Sequence, residues 1–296
     1  MNVVSTHGLS KTYGKTTALR DLDLEVRCGE VFGLLGPNGA GKTTTLRLLI
    51  DVIRPTRGSF TLFGEYMSPR LRGRIGYLPG DLVLYDRLTG ADYLRFCGAL
   101  RHHPELGEAT RLAKRLDLDL DRPAGELSKG NRQKLGIVQA FGHRPDLVIL
   151  DEPASGLDPL AQREFHAYLR EYVDGGGTVL FSSHVLSEVE QVADRVGILL
   201  AGSLVVQDTV SSLKANALRE LTFTFGEEVA AATFSGIAGV REVVQTGATE
   251  VRCRVAGPVG ELVRTAARFS LLNVVSHDPD LEDIFVHYTE ERGDGD

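Results

Sequence analysis

The chain has 296 residues, which at ~150 residues per domain predicts about two domains. Its composition, 42% hydrophobic and 25% charged, is that of a globular chain that buries a core without metal or disulfide staples. Thirty-three Lys+Arg against 40 Asp+Glu leave a net charge of −7, which disfavours nucleic acid as the default partner. Cys28, Cys97 and Cys253 lie far apart and are odd in number, which excludes a disulfide framework and points to a reducing compartment. No run approaches ~18 uninterrupted apolar residues, and residues 1–10 lack a basic-then-apolar leader. A cytosolic chain that does not itself cross a bilayer is expected. Seven Lys against 26 Arg fit a GC-rich genome.

In chain order, the first ~210 residues alternate strand and helix signals. Val31–Leu35 is a short apolar run ending in a Gly-rich loop, and an apolar helix follows over 43–50. Residues 146–150 and 178–182 repeat the buried-strand pattern, and 196–200 with 203–207 read as a hairpin around Gly202. Continuous apolar strands separated by helices predict a mostly parallel sheet covered on both faces. Residues 88–142 differ: apolar positions recur at 3–4 spacing over 89–100 and 105–116, with Thr89 as an N-cap, so an inserted helical subdomain is expected. His102-His103-Pro104 reads as a solvated helix end, and Arg70, Arg72 and Arg74 as a solvated basic face.

The last residues restart the pattern. Strands over 221–225, 240–246, 249–255 and 271–277 alternate with helices over 227–237 and 261–269, and a closing helix spans 281–288. The order βαββαβ predicts a small ferredoxin-like unit. The expected domains are therefore 1–213 and 214–296.

Gly36-Pro37-Asn38-Gly39-Ala40-Gly41-Lys42-Thr43 satisfies GxxxxGK[ST] after an apolar strand and before a helix. Its glycines let successive N–H groups turn toward phosphate oxygens, and the helix beginning near Lys42 adds partial positive charge. Lys42 would reach the β/γ-phosphates and Thr43 a Mg²⁺ ion, which makes a nucleoside triphosphate the expected ligand. Leu147-Val148-Ile149-Leu150-Asp151-Glu152 places two carboxylates at a strand end, where ligands of parallel sheets bind. Asp151 would hold Mg²⁺, and Glu152 would serve as general base or orient the attacking water.

Four further motifs resemble those of ABC (ATP-binding cassette) ATPases. Leu127-Ser128-Lys129-Gly130-Asn131 is similar to the LSGGQ signature and lies about 20 residues before the acidic strand end. Ser155-Gly156-Leu157-Asp158 resembles the D-loop, Ser182-Ser183-His184 the H-switch, and Tyr13 the aromatic residue that stacks on adenine. The resemblance covers about two-thirds of the chain. It implies a P-loop ABC-type α/β fold with an antiparallel β subdomain, and ATP bound by Tyr13 and residues 36–44, Thr44 included. It also implies catalysis by Glu152, His184 and Lys42. Ser128, Lys129, Gly130 and Asn131 would act on the ATP of the opposite subunit, so a dimer with Asp158 at its interface is implied. The second subunit would be another copy of this chain or a homologous ATPase.

Two departures stand out. Tyr77-Leu78-Pro79 runs into Gly80 where the family usually has Gln, and Asp81 is the carboxylate expected to substitute at Mg²⁺. Lys129 and Asn131 replace Gly and Gln of the signature, while Ser128 and Gly130 are retained. The segment Asp278-Pro279-Asp280-Leu281-Glu282-Asp283-Ile284-Phe285 resembles the close of ATPases from drug- and antibiotic-export systems. The resemblance then implies an integral membrane permease as partner, docked on the helical insertion and the residues after Gly80, with the chain peripheral on the inner face of the membrane. No nucleic-acid partner is expected. The alternative is a soluble ABC ATPase acting on a nucleic-acid or ribosomal partner. A P-loop kinase or GTPase would need neither LSKGN nor SSH, and a non-hydrolysing binding module would fit Gly80. Cargo contacts belong to the permease and are not legible here.

Overall fold

The computed structural model describes residues 1–101 and 106–293, so the His102-His103-Pro104 reading lies outside the described residues. The chain forms two compact units, Met1–Asp208 and Thr209–Asp296.

The first unit begins with β1 (Asn2–Tyr13), β2 (Thr16–Leu22) and β3 (Glu25–Arg27). Both β2 and β3 pair antiparallel with β1. Next come β4 (Val31–Leu35) and α1 (Lys42–Leu49), then β5 (Arg57–Leu62), which returns to β1 with Val4 opposite Leu62 and Thr6 opposite Phe60. The short α2 (Pro69–Arg72), capped by Ser68, leads into β6 (Ile75–Leu78). A helical stretch follows: α3 (Gly90–Leu100), α4 (Gly107–Arg115), a 3₁₀ turn at Ala124–Glu126, and α5 (Lys129–Phe141). Thr89 caps α3 by accepting the Asp92 N–H at 3.1 Å. The unit closes with β7 (Leu147–Asp151), α6 (Pro159–Asp174), β8 (Thr178–Ser183), α7 (Leu186–Val192), β9 (Arg195–Leu200) and β10 (Ser203–Thr209).

The central sheet runs β10-β9-β4-β8-β7-β6, with the β9/β4, β4/β8, β8/β7 and β7/β6 pairs all parallel. Every residue of β4, β7, β8 and β9 is buried, because helices or the antiparallel sheet cover both faces and no strand needs a polar side. β10 forms a hairpin with β9 through Ala201 and Gly202, both at positive φ. Leu9, Leu19, Phe32, Leu34, Leu46, Leu49, Ile149 and Leu180 share one core that fuses the antiparallel sheet and α1 to the central sheet. The arginines of the expected basic face are partly committed within the chain. Arg72 pairs with Asp51 at 2.7 Å, and Arg74 pairs with Asp146 at 2.5 Å while lying over the Phe63 ring.

The second unit comprises α8 (Val210–Asn216), β11 (Arg219–Phe225), β12 (Val240–Gly247), β13 (Glu250–Val255), α9 (Gly260–Ala266), β14 (Leu271–His277) and α10 (Leu281–Gly293). Its sheet order β12-β13-β11-β14, antiparallel throughout, is the split βαβ arrangement expected from the sequence. The helix expected over 227–237 is absent: only a 3₁₀ turn, Ala231–Thr233, forms there. Gln245 of β12 accepts the Ala231 N–H at 2.8 Å and donates to the Val229 carbonyl at 3.2 Å, taking backbone groups a helix would have used. The buried Val229 and Phe234 lie five residues apart, off any helical stripe, and Phe234 stacks on Phe223 with centroids 5.8 Å apart.

Candidate nucleotide site

The C-terminal ends of β4, β7 and β8 lie side by side in the central sheet and carry the candidate site residues. The loop from Gly36 to Gly41 leaves β4 and turns into α1. Gly36, at φ +155°, leaves no room for a Cβ against the Leu199 carbonyl, and one on Gly41, at φ +108°, would sit 2.7 Å from the Ala18 carbonyl. Only glycine fits the loop at both places. Gly41 caps α1 with no side chain, and no acidic residue sits in the first turn, so the first N–H groups of α1 keep their positive field for an anion. Pro37, Asn38 and Gly39 are exposed, Ala40 is buried, and Thr43 and Thr44 are half-buried at the head of α1. Lys42 is only 6% exposed, and its Nζ lies 2.7 Å from the Gly36 carbonyl and 3.5 Å from Glu152 Oε1. A buried ammonium held by neutral carbonyls and one carboxylate is arranged to receive a polyphosphate.

At the end of β7, Asp151 is buried and accepts a 2.6 Å hydrogen bond from Ser182 Oγ. The same Ser182 oxygen accepts the Glu152 N–H at 3.1 Å. Glu152 has φ +51°, so the chain turns sharply after the strand. Its carboxylate faces Lys42 on one side and His184 Nδ1, at 2.7 Å, on the other. Because a carboxylate only accepts, Nδ1 carries the shared proton. Nearby Glu188 has its pKa pushed up, first by burial and then by the Glu152 charge. Gly80 sits beside Asp151: a Cβ there would lie 3.2 Å from Asp151 Oδ2. Asp81 is exposed in the stretch that follows. The hydroxyl of Thr43 and the carboxylate of Asp151 are hard oxygen donors of the kind that suit Mg²⁺. Tyr13, at the end of β1, is 48% exposed, with Lys11 Nζ 5.0 Å from its ring centre.

The signature residues open α5. Ser128 caps it by accepting the Asn131 N–H at 3.2 Å, and Ser128 and Lys129 are exposed. Gly130 meets the D-loop closely: a Cβ there would lie 2.7 Å from the Gly156 carbonyl. The Lys129 stem packs on Gly156, and Lys134 Nζ lies 3.7 Å from Asp158 Oδ2. Asp158 is exposed and caps α6 by accepting the Leu160 and Ala161 N–H groups. The Ala161 N–H foremost, with the Lys134 charge, holds the Asp158 carboxyl below its usual pKa. Lys42, Asp151, Glu152 and His184 thus converge within one chain, whereas Ser128 and Lys129 of the signature are exposed and Gly130 and Asn131 half-buried.

Sequence reasoning missed Gln133. It lies on the buried face of α5, and Nε2 donates to the Glu152 and Pro153 carbonyls at 3.2 and 2.9 Å. The available signal was a polar amide in the helical stripe it shares with Ile137, Ala140 and Phe141.

A phosphate loop between a buried strand and a helix, facing an acidic strand end, defines a P-loop ATPase. The ABC transporter family model matches residues 19–155. An ABC transporter ATP-binding protein of Synechocystis is 35% identical over 99% of this chain and 86% of its own length. The bacitracin transport ATP-binding protein BcrA of Enterococcus faecalis is 33% identical over 96% of this chain and 95% of its own. Among solved structures, the ATP-binding subunit of an ABC transporter superposes with TM-score 0.65 at 32% identity, covering 72% of this chain and 92% of that one. The chain belongs to the ABC transporter ATP-binding proteins, and it binds and hydrolyses ATP. Among the described residues, no helix is long and apolar enough to cross a membrane.

Proposed function

We propose that this chain powers an exporter, of a drug, antibiotic or other hydrophobic compound, through ATP-driven dimerisation on a membrane permease. The observation that carries the reading is the Glu152 carboxylate held between Lys42 and His184 at the ends of three adjacent strands. In this reading Lys42 and the N–H groups of residues 36–44 hold the phosphates, and Tyr13 stacks on the adenine. Thr43 and Asp151 would hold Mg²⁺, whose contribution is charge neutralisation on the phosphates. Asp81 stands in for the side chain that Gly80 lacks. Glu152 takes the proton of the attacking water, and His184 orients Glu152 and contacts the γ-phosphate.

Ser128 to Asn131 act on the nucleotide of a second subunit, with Asp158 at the interface, because one chain carries one loop and one signature. The anion bridging two subunits is what joins them, and its loss on hydrolysis releases them. The exporter assignment draws on relatives named for bacitracin transport and, in Escherichia coli, for probable multidrug transport. An apolar patch supports permease docking: Val83, Tyr85, Phe96 and Leu100 are exposed, and the Tyr85 and Phe96 rings meet edge-on with centroids 5.5 Å apart. In this reading the chain sits on the inner face of the membrane through the permease, with the C-terminal unit as an accessory domain.

Glu152→Gln tests the reading. It is expected to bind ATP, to lose turnover, and to accumulate as an ATP-bound dimer on size exclusion. A variant that stays monomeric at saturating ATP and Mg²⁺, with and without the permease, overturns the dimer mechanism.

A further inference from the structure

Gln133 is buried, and its side-chain amide is aimed away from its own helix at the strand end that carries Glu152. Two successive carbonyls, of Glu152 and Pro153, converge on the single Nε2 because the chain turns at Glu152, whose φ of +51° is uncommon for a residue with a side chain. Such a conformation persists only where the surroundings over-determine it. Here the two ends of the residue are held separately: Ser182 Oγ takes its N–H, and its C=O accepts from Gln133 Nε2 and from the Ser155 N–H of the same turn, each at 3.2 Å. The direction of the Glu152 carboxylate, toward Lys42 and His184, follows from that backbone. Without Gln133 the Pro153 carbonyl loses its donor, and the Glu152 carbonyl keeps only the local Ser155 N–H, so nothing links the turn to α5 at this point.

The amide stands on α5, the helix whose first residues are Lys129, Gly130 and Asn131. Three contacts tie α5 to the stretch 152–158: Gln133 to the Glu152 and Pro153 carbonyls, the Gly130 backbone to the Gly156 carbonyl, and Lys134 to Asp158. Any displacement of α5 is therefore felt at Glu152 through a short, buried link.

We propose that Gln133 is a positioning residue for Glu152, through which the anion bound at the signature end of α5 sets the base in the phosphate-loop site of the same chain. This rests on the roles proposed above for Glu152 and for the signature. It makes each of the two sites of a dimer sense the occupancy of the other, with Gln133 acting on turnover and not on nucleotide affinity.

The test uses the full chain with its permease. Gln133→Met keeps the length and removes both donors. It is expected to lower kcat tenfold or more, to leave KM and the binding of a fluorescent ATP analogue within twofold, and to bring the Hill coefficient for ATP toward one. If Gln133→Met fails to fold, Gln133→Leu, which likewise has no donor, is measured in its place with the same expectation. A kcat within twofold of the parent, or a loss of kcat matched by the same loss of ATP affinity, overturns the proposal. Glu152→Gln measured alongside separates the two ideas. If it retains turnover, the base assignment is wrong; if it is inactive while Gln133→Met is not impaired, only the positioning role fails.

Discussion

His184 Nδ1 lies 2.7 Å from Glu152 Oε2, joining the end of β8 to the end of β7. The two residues are 32 positions apart in sequence and meet because β7 and β8 are parallel neighbours with Asp151 opposite Ser182. The imidazole is half-exposed, so its removal leaves no buried cavity. His184→Ala is expected to keep ATP affinity within a few-fold and to lower kcat by roughly 10²-fold, the lower end of what a positioned acid–base partner contributes. Equal kcat in variant and parent would remove His184 from the mechanism.

Gly80 sets up a second prediction. It stands beside Asp151 without a side chain, and Asp81 is the next carboxylate along the chain. Asp81→Ala is expected to raise several-fold the Mg²⁺ concentration needed for half-maximal turnover. An unchanged Mg²⁺ titration rules out its substitution for the missing side chain.

Glu108 ties the helical stretch to α6. It is 5% exposed and receives Arg111 at 2.7 Å, Arg144 at 3.0 Å and the Tyr168 hydroxyl at 3.0 Å. Burial alone would raise its pKa, but the hydrogen bonds from Arg111, Arg144 and Tyr168 outweigh it and hold the carboxyl below the usual range. A depressed folded-state pKa means that the stabilisation is complete above the unfolded value of about 4.3 and is lost as pH falls through the folded one. Both arginines are mostly exposed, so solvent screens part of the effect, and Glu108→Gln is expected to cost about 1–2 kcal/mol at pH 7. Denaturant melts of the two proteins should converge below pH 4. A gap that persists in acid assigns the cost to packing.

In the second unit, Phe234 is fully buried against Phe223 and Phe225, at 5.8 and 6.1 Å between centroids. Phe234→Ala is expected to destabilise this unit by about 3–5 kcal/mol. Hydrogen exchange should show lost protection in β11 and β13, with the amides of β4 and β7 unaffected. Equal losses in both units would mean that they unfold together.

Local pattern was enough for much of this molecule. The phosphate loop, the acidic strand end and α3 are set by short-range rules: which glycines a loop tolerates, where a helix can be capped, how long an apolar strand runs. The helix over 89–100 was legible for that reason, with Thr89 as its cap. The expected helix over 227–237 was misread because its backbone groups are taken by Gln245, whose position depends on β12 pairing with β13. Gln133 escaped for the same kind of reason: its partners, the carbonyls of Glu152 and Pro153, lie 19 and 20 residues away. Sequence alone therefore determined that this chain holds a nucleotide and which residue types would meet it. Only the tertiary structure decided that Lys42, Glu152 and His184 share one point, because parallel strand order, a non-local property, brings the ends of β4, β7 and β8 together.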